Sequence, residues 1–194
     1  MIESITSRYE NTNSNIHPLK FALWISMASI CMMFAALTSA YVVREAQGNW
    51  LEFELPNVFF VSTGVLLMSS VLLHLSFKAF SRGDVQPYRL YLVGSLILGI
   101  AFLALQYKGW NALYSIGVDL KGNPAGSFLY MLTGVHALHI LGGLVALIIG
   151  VIKSFTQKYK LTERRKINFE LTLHYWHFVD LLWVYLLIFL YLSR

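Results

Sequence analysis

Charge is what this chain has least of. Only 13% of its 194 residues are Asp, Glu, Lys or Arg, about half the share usual in a soluble domain. Hydrophobic residues make up 57%, and the mean hydropathy is positive. That balance excludes an ordinary soluble domain and points to an integral membrane protein. A single cysteine, Cys31, lies inside an apolar run and excludes an intrachain disulfide. No phosphate-cradling glycine loop, nucleophile elbow or thiolate motif is present. The net charge of +5 sits in the connections between apolar runs, which explains it without nucleic acid. There is no internal repeat and no stretch long enough for a separate soluble domain. The first apolar run exceeds the roughly 7–15 residues of a signal-peptide core, so it is expected to stay as an anchor.

What is present is five apolar runs near Lys20–Val43, Asn57–Phe77, Arg89–Tyr107, Gly126–Ile152 and Thr172–Leu192. Each meets the length of about 20 residues that a helix needs to cross the hydrocarbon core. The expected fold is all-α: an integral membrane five-helix bundle, with a polar tail over residues 1–19 and one membrane domain over 20–194. His17-Pro18 suits an extended entry into the first helix. With the N-terminus in the cytoplasm, that side holds Arg8, Lys20, Lys78, Arg82, Arg89, Lys153, Lys158, Lys160, Arg164, Arg165 and Lys166. The other side holds only Arg44, Lys108, Lys121 and Arg194. The positive-inside bias therefore predicts a cytoplasmic N-terminus and a periplasmic C-terminus. The basic run Lys158–Lys166 either binds anionic lipid heads or only sets the topology. Small residues at spacing four mark expected packing seams: Ala36 and Ala40, Ser95 and Gly99, and Gly142, Ala146 and Gly150.

Ionisable residues within these spans are few, and each is costly at membrane depth. Glu170, His174, His177 and Asp180 fall within roughly 120° of one helix face, at 100° per residue. His136 and His139 lie one turn apart on the fourth helix, with Thr133 one turn earlier. These six are the expected internal polar network, bonded between helices. Asp180→Leu should then weaken assembly or stability by unpairing a buried partner. His74, alone on the second helix, reads as interfacial. The two groups of histidines are expected at depths about 15 Å or more apart, which suits a bis-histidine haem poorly. Two carboxylates and no Glu-x-x-His pair do not make a di-iron site. Three classes remain: a non-catalytic subunit of a membrane complex, a haem-bearing electron-transfer anchor, and a small transporter. Helices one to three lack the midplane polar residues and repeats a transporter would show.

Tyr175-Trp176-His177-Phe178-Val179-Asp180, with Trp183 after it and Glu170 before it, resembles the last-helix signature of haem-copper oxidase subunit III. Thr133-Gly134, His136, His139 and Gly142 look like the family's preceding helix. Leu66-Leu67-Met68-Ser69-Ser70 resembles the second helix of the short form, and Gln106 with Trp110 the end of the third. The likeness covers about residues 17–192, and the five-helix count is similar to the short bacterial form. The resemblance implies a multi-pass protein of the bacterial inner membrane, packed beside catalytic subunit I and subunit II of a proton-pumping oxidase. That oxidase would take electrons from cytochrome c and reduce oxygen to water. Haem and copper would lie in the partner subunits, with no metal, haem or catalytic centre in this chain. A bound phospholipid and a larger respiratory supercomplex are further implications. A quinol oxidase or a nitric oxide reductase would be the nearest alternative setting. Trp176 and Trp183 are candidate lipid or partner contacts, or plain packing residues. One departure stands out. Where the family's first helix commonly carries a glutamate after Ala-Ser, this chain has Ile30 after Ala28-Ser29, which implies that His136 or His139 has lost a partner.

Overall fold

A computed structural model describes residues 17–193; residues 1–16 of the expected polar tail lie outside the described residues. Five helices follow one another: α1 (Pro18–Glu45), α2 (Val58–Arg82), α3 (Val85–Ser115), α4 (Pro124–Thr156) and α5 (Glu163–Leu192). All five are long and apolar enough to cross a membrane. His17 is extended and caps α1, its Nδ1 accepting from the Leu19 amide at 3.3 Å. Every helix runs past its apolar stretch. The largest extension at a single end is in α5, which begins at Glu163 rather than near Thr172. Charged turns such as Glu163–Lys166 continue the backbone hydrogen-bond ladder outside the apolar zone, so hydropathy does not register them.

α2 and α3 are joined by Gly83 and Asp84 alone. Gly83 adopts φ 88° and closes α2 with a bond from its amide to the Phe80 carbonyl. This hairpin forms the closest helix pair in the fold. α3 packs on α4, α4 on α5, and α5 back on α2, which closes a four-helix ring. α1 stands outside the ring and touches only α4 and α5. At the end away from the basic loops, Asn123 caps α4 through the Ala125 amide at 2.9 Å. Its amide group also donates to the Asn49 carbonyl at 3.0 Å, which ties the α1–α2 connection to α4.

The ring is filled by large side chains. Trp176, Trp183, Phe59 and Phe102 are each 0–1% exposed. Room for them comes from glycine. A Cβ on Gly99 would lie 2.8 Å from Leu144 and 3.0 Å from the Trp176 ring, and one on Gly143 would lie 2.8 Å from that ring. The expected seam through Ser95 and Gly99 is therefore present. Two other seams are not. Ala36 and Ala40 are exposed, and α1 docks instead through Phe34, Thr38 and Tyr41. On α4 the close approach belongs to Gly143. A Cβ on Gly142 or Gly150 would meet only ordinary contacts at 3.7 and 4.0 Å.

Candidate functional site: a closed polar interior

The interior polar groups begin with the tryptophans. A buried indole N–H needs an acceptor, and each one here finds a hydroxyl. Trp176 donates to Ser69 Oγ at 3.2 Å, Trp183 to Thr63 Oγ1 at 2.9 Å, and Trp110 to Thr133 Oγ1 at 3.0 Å. Each hydroxyl passes its own proton to a carbonyl: Ser69 to Ser95, Thr63 to Phe59, and Thr133 to Leu129. Gln106 adds a fourth link, donating to Ser62 Oγ at 3.1 Å. In hydrocarbon such bonds bind helix to helix, at about 1 kcal/mol each. Ser62, Thr63 and Ser69 are functional in this sense; for Ser62 and Thr63 the only trace in the sequence is a hydroxyl within an apolar run, while Ser69 falls in the Leu66–Ser70 stretch that carries the family resemblance.

The six residues expected to form one network do not do so. Among the described residues, no hydrogen bond or ion pair joins any two of their side chains. Glu170 pairs with Lys20 of α1 at 2.5 Å, at the basic end of the bundle. The His174 Nδ1–H donates to the Glu170 carbonyl one turn back, and the ring is exposed. The His139 Nδ1–H donates likewise to the Val135 carbonyl. His177 Nδ1 meets Ser70 Oγ of α2 at 2.5 Å. Asp180 is 4% exposed, and neither carboxylate oxygen has a partner. His136 is 0% exposed with both ring nitrogens unpartnered. It stacks on Trp183 with ring centroids 5.1 Å apart, and the edges of Phe102 and Phe34 close around it at 6.1 and 6.4 Å. α1 brings no carboxylate to this place. Ile30 packs against the apolar core, and Phe34 also faces His139.

Register accounts for part of the difference. His136 lies beside Trp183, and Gly143 lies beside Trp176. α4 and α5 run antiparallel, so Asp180 is level with His139. The expected gap of about 15 Å or more between the two groups of histidines is therefore not kept: at 1.5 Å per residue His174 lies roughly 14 Å from His136 but His177 only roughly 9 Å. His74 is also not isolated, since its ring centre lies 5.8 Å from that of His177. Trp176 and Trp183 are both 0% exposed. They are enclosed by this chain and unavailable to lipid or a partner, so the packing reading replaces the contact reading.

The geometry reverses the expected effect of one substitution. The Ser70 hydroxyl lies nearby, but neither Asp180 oxygen makes a close hydrogen bond that replacement would break, and removing an unsatisfied buried polar group is favourable by about 1–3 kcal/mol. Asp180→Leu should leave the isolated chain as stable as the parent or more so, read as the midpoint of unfolding in mixed detergent.

A haem or metal fits poorly here. His136 is caged by aromatic rings and faces no second ligand. Among the described residues, no group of three or more His, Cys, Asp or Glu converges as metal ligands do.

Five apolar helices closed around a tryptophan-filled centre define a multi-pass membrane protein. A family model described as cytochrome c oxidase subunit III matches residues 3–193. The chain belongs to that family. Similar proteins include the probable cytochrome c oxidase subunit 3 of Mycobacterium tuberculosis (strain ATCC 25618 / H37Rv), 32% identical over 98% of this chain and 95% of that one. That of Nocardia farcinica is 33% identical over the same shares. The cytochrome bo(3) ubiquinol oxidase subunit 3 of Buchnera aphidicola is 26% identical over 89% of this chain and 93% of the relative.

Proposed function

We propose that this chain is a non-catalytic subunit of a proton-pumping haem-copper terminal oxidase of the bacterial inner membrane. The observation that carries the reading is the filled ring. Where a redox subunit would hold a prosthetic group between its helices, this one holds Trp176 and Trp183. Its work is then mechanical and electrostatic. It packs beside subunits I and II, which carry haem and copper, steadies the catalytic subunit through turnover, and supports proton uptake on the cytoplasmic side. The relatives named for cytochrome c oxidase favour cytochrome c as donor, while the Buchnera relative keeps quinol as the alternative. His136, His139, Glu170, His174, His177 and Asp180 serve in this reading as local helix-to-helix and helix-to-partner contacts within one membrane domain over residues 20–194.

The distribution of Lys and Arg favours a cytoplasmic N-terminus and a periplasmic C-terminus. On that side a cavity of about 450 Å³ lies between α3, α4 and α5. Lys153, Arg164 and Arg165 line it together with the apolar Leu92, Leu147 and Phe169, a combination suited to a phospholipid head and the start of its acyl chains. The reading is tested by stripping the chain from the purified oxidase. The remaining complex should still reduce oxygen but lose activity sooner during turnover, and recover its lifetime when the chain is restored. An unchanged lifetime refutes the stabilising role.

A further inference from the structure

The outward faces of the five helices are not alike. α1 carries no Asp, Glu, His, Lys or Arg from Phe21 to Val43, and α3 none from Leu90 to Tyr107. The exposed face of α4 is Leu138, Leu141, Val145, Ile149 and Ile152, and its two histidines point inward, one buried and one half-buried. Such faces suit lipid. The seam between α2 and α5 differs. His74 and His174 are exposed there, and His177 is half-buried between them.

A lone imidazole near a helix end can turn to the membrane surface. This cluster cannot do so as a whole. His177 lies seven residues past Glu170, about 10 Å deeper at 1.5 Å per residue. The Ser70 hydroxyl holds its Nδ1 at 2.5 Å and so fixes the ring in the seam. Its Nε2 finds no partner among the described residues. Exposed to hydrocarbon, each such group would cost about 2–3 kcal/mol or more on insertion scales. Polar groups at that depth are stable only against protein or water.

We infer that the α2–α5 seam, centred on His74 and His177, is the surface on which this subunit meets a membrane-spanning helix of another oxidase chain. That helix presents a carboxylate, hydroxyl or amide at the same depth. The inference rests on the subunit reading above and assigns it a face and a chemistry. The exposed apolar residues of the seam, Leu67, Val71 and Leu181, supply the packing around the polar contact, and the lipid-facing sides are left to α1, α3 and α4.

The test uses the intact complex in lipid nanodiscs, with a photo-crosslinking side chain at Val71, at Leu181 or, for reference, at Val145. Val71 and Leu181 are exposed and lie within one turn of His74 and His177 respectively. The expected adducts join Val71 and Leu181 to a polar membrane-spanning segment of another chain, and Val145 to lipid. Lipid adducts at all three positions overturn the assignment, as do adducts to a second copy of this chain. If the preparation still carries the other oxidase chains, lipid adducts refute the surface alone. A tagged chain that carries no other chain refutes both the surface and the subunit reading.

Discussion

Trp176→Ala should lower the stability of the bundle by about 3–5 kcal/mol, the range for truncating a large buried aromatic. Three effects combine in that loss. The ring is 0% exposed and fills the space left by Gly99 and Gly143. Its removal leaves a cavity facing Ser69 of α2, Gly99 of α3 and Gly143 of α4. It also frees Ser69, which still donates to Ser95 but loses the indole N–H. Trp176→Phe separates the terms. It restores most of the packing and omits the hydrogen bond, so it should cost nearer about 1 kcal/mol. Both are read as unfolding midpoints of the purified chain in mixed detergent. A Trp176→Ala protein as stable as the parent would mean that the ring is not held by its centre.

Gly143→Val is the second large effect, and its sign depends on comparing two terms. Replacing a helical glycine by valine gains only about 0.3–0.5 kcal/mol in backbone propensity. Against that stands a Cβ 2.8 Å from two Trp176 ring carbons and 3.2 Å from Tyr175. Overpacking of this kind costs about 1–3 kcal/mol or more, and the indole has no free space into which to move. Net destabilisation is expected, with loss of assembly into the complex. The neighbouring position is the control. At Gly142 the added Cβ meets only the Tyr175 hydroxyl at 3.7 Å, so Gly142→Ala should be neutral or mildly stabilising. If the two substitutions behave alike, the α4–α5 register described here is wrong.

These two glycines also show how far the sequence could be read. Five membrane helices were legible because each needs about 20 apolar residues and nothing else. The motif around Trp176, Asp180 and Trp183 was legible as special, since it sets an acid and two histidines where lipid-soluble helices rarely have them. Rotation was not legible. The spacing-four repeat of Gly142, Ala146 and Gly150 looks like a seam, yet Gly143 is the residue that meets Trp176. A helix turns to suit the largest side chain it must accommodate, and that side chain belongs to another helix. The same limit explains the dispersed histidines. A face 120° wide reaches from Asp180 in the core to His174 on the outside, and only the neighbours decide which edge is buried. Hydroxyls were silent for a further reason. Ser26 and Ser29 bond to their own helix one turn back, and nothing local distinguishes them from Ser69, which reaches across to α3 and accepts from α5.

The departure at Ile30 gains a physical form in this structure. His136 sits among Phe34, Phe102 and Trp183 with no hydrogen-bond partner. Its ring contributes an aromatic surface, stacked on the Trp183 indole with centroids 5.1 Å apart.

The subunit reading is tested by a redox difference spectrum on the chain purified through a tag in mild detergent, before and after its partners are removed. A non-catalytic subunit gives haem bands in the complex, carried by a separate and larger chain, and a colourless protein once this chain stands alone. Haem retained by the isolated chain, and lost in a His136→Ala or His174→Ala variant, would contradict it and make those histidines ligands.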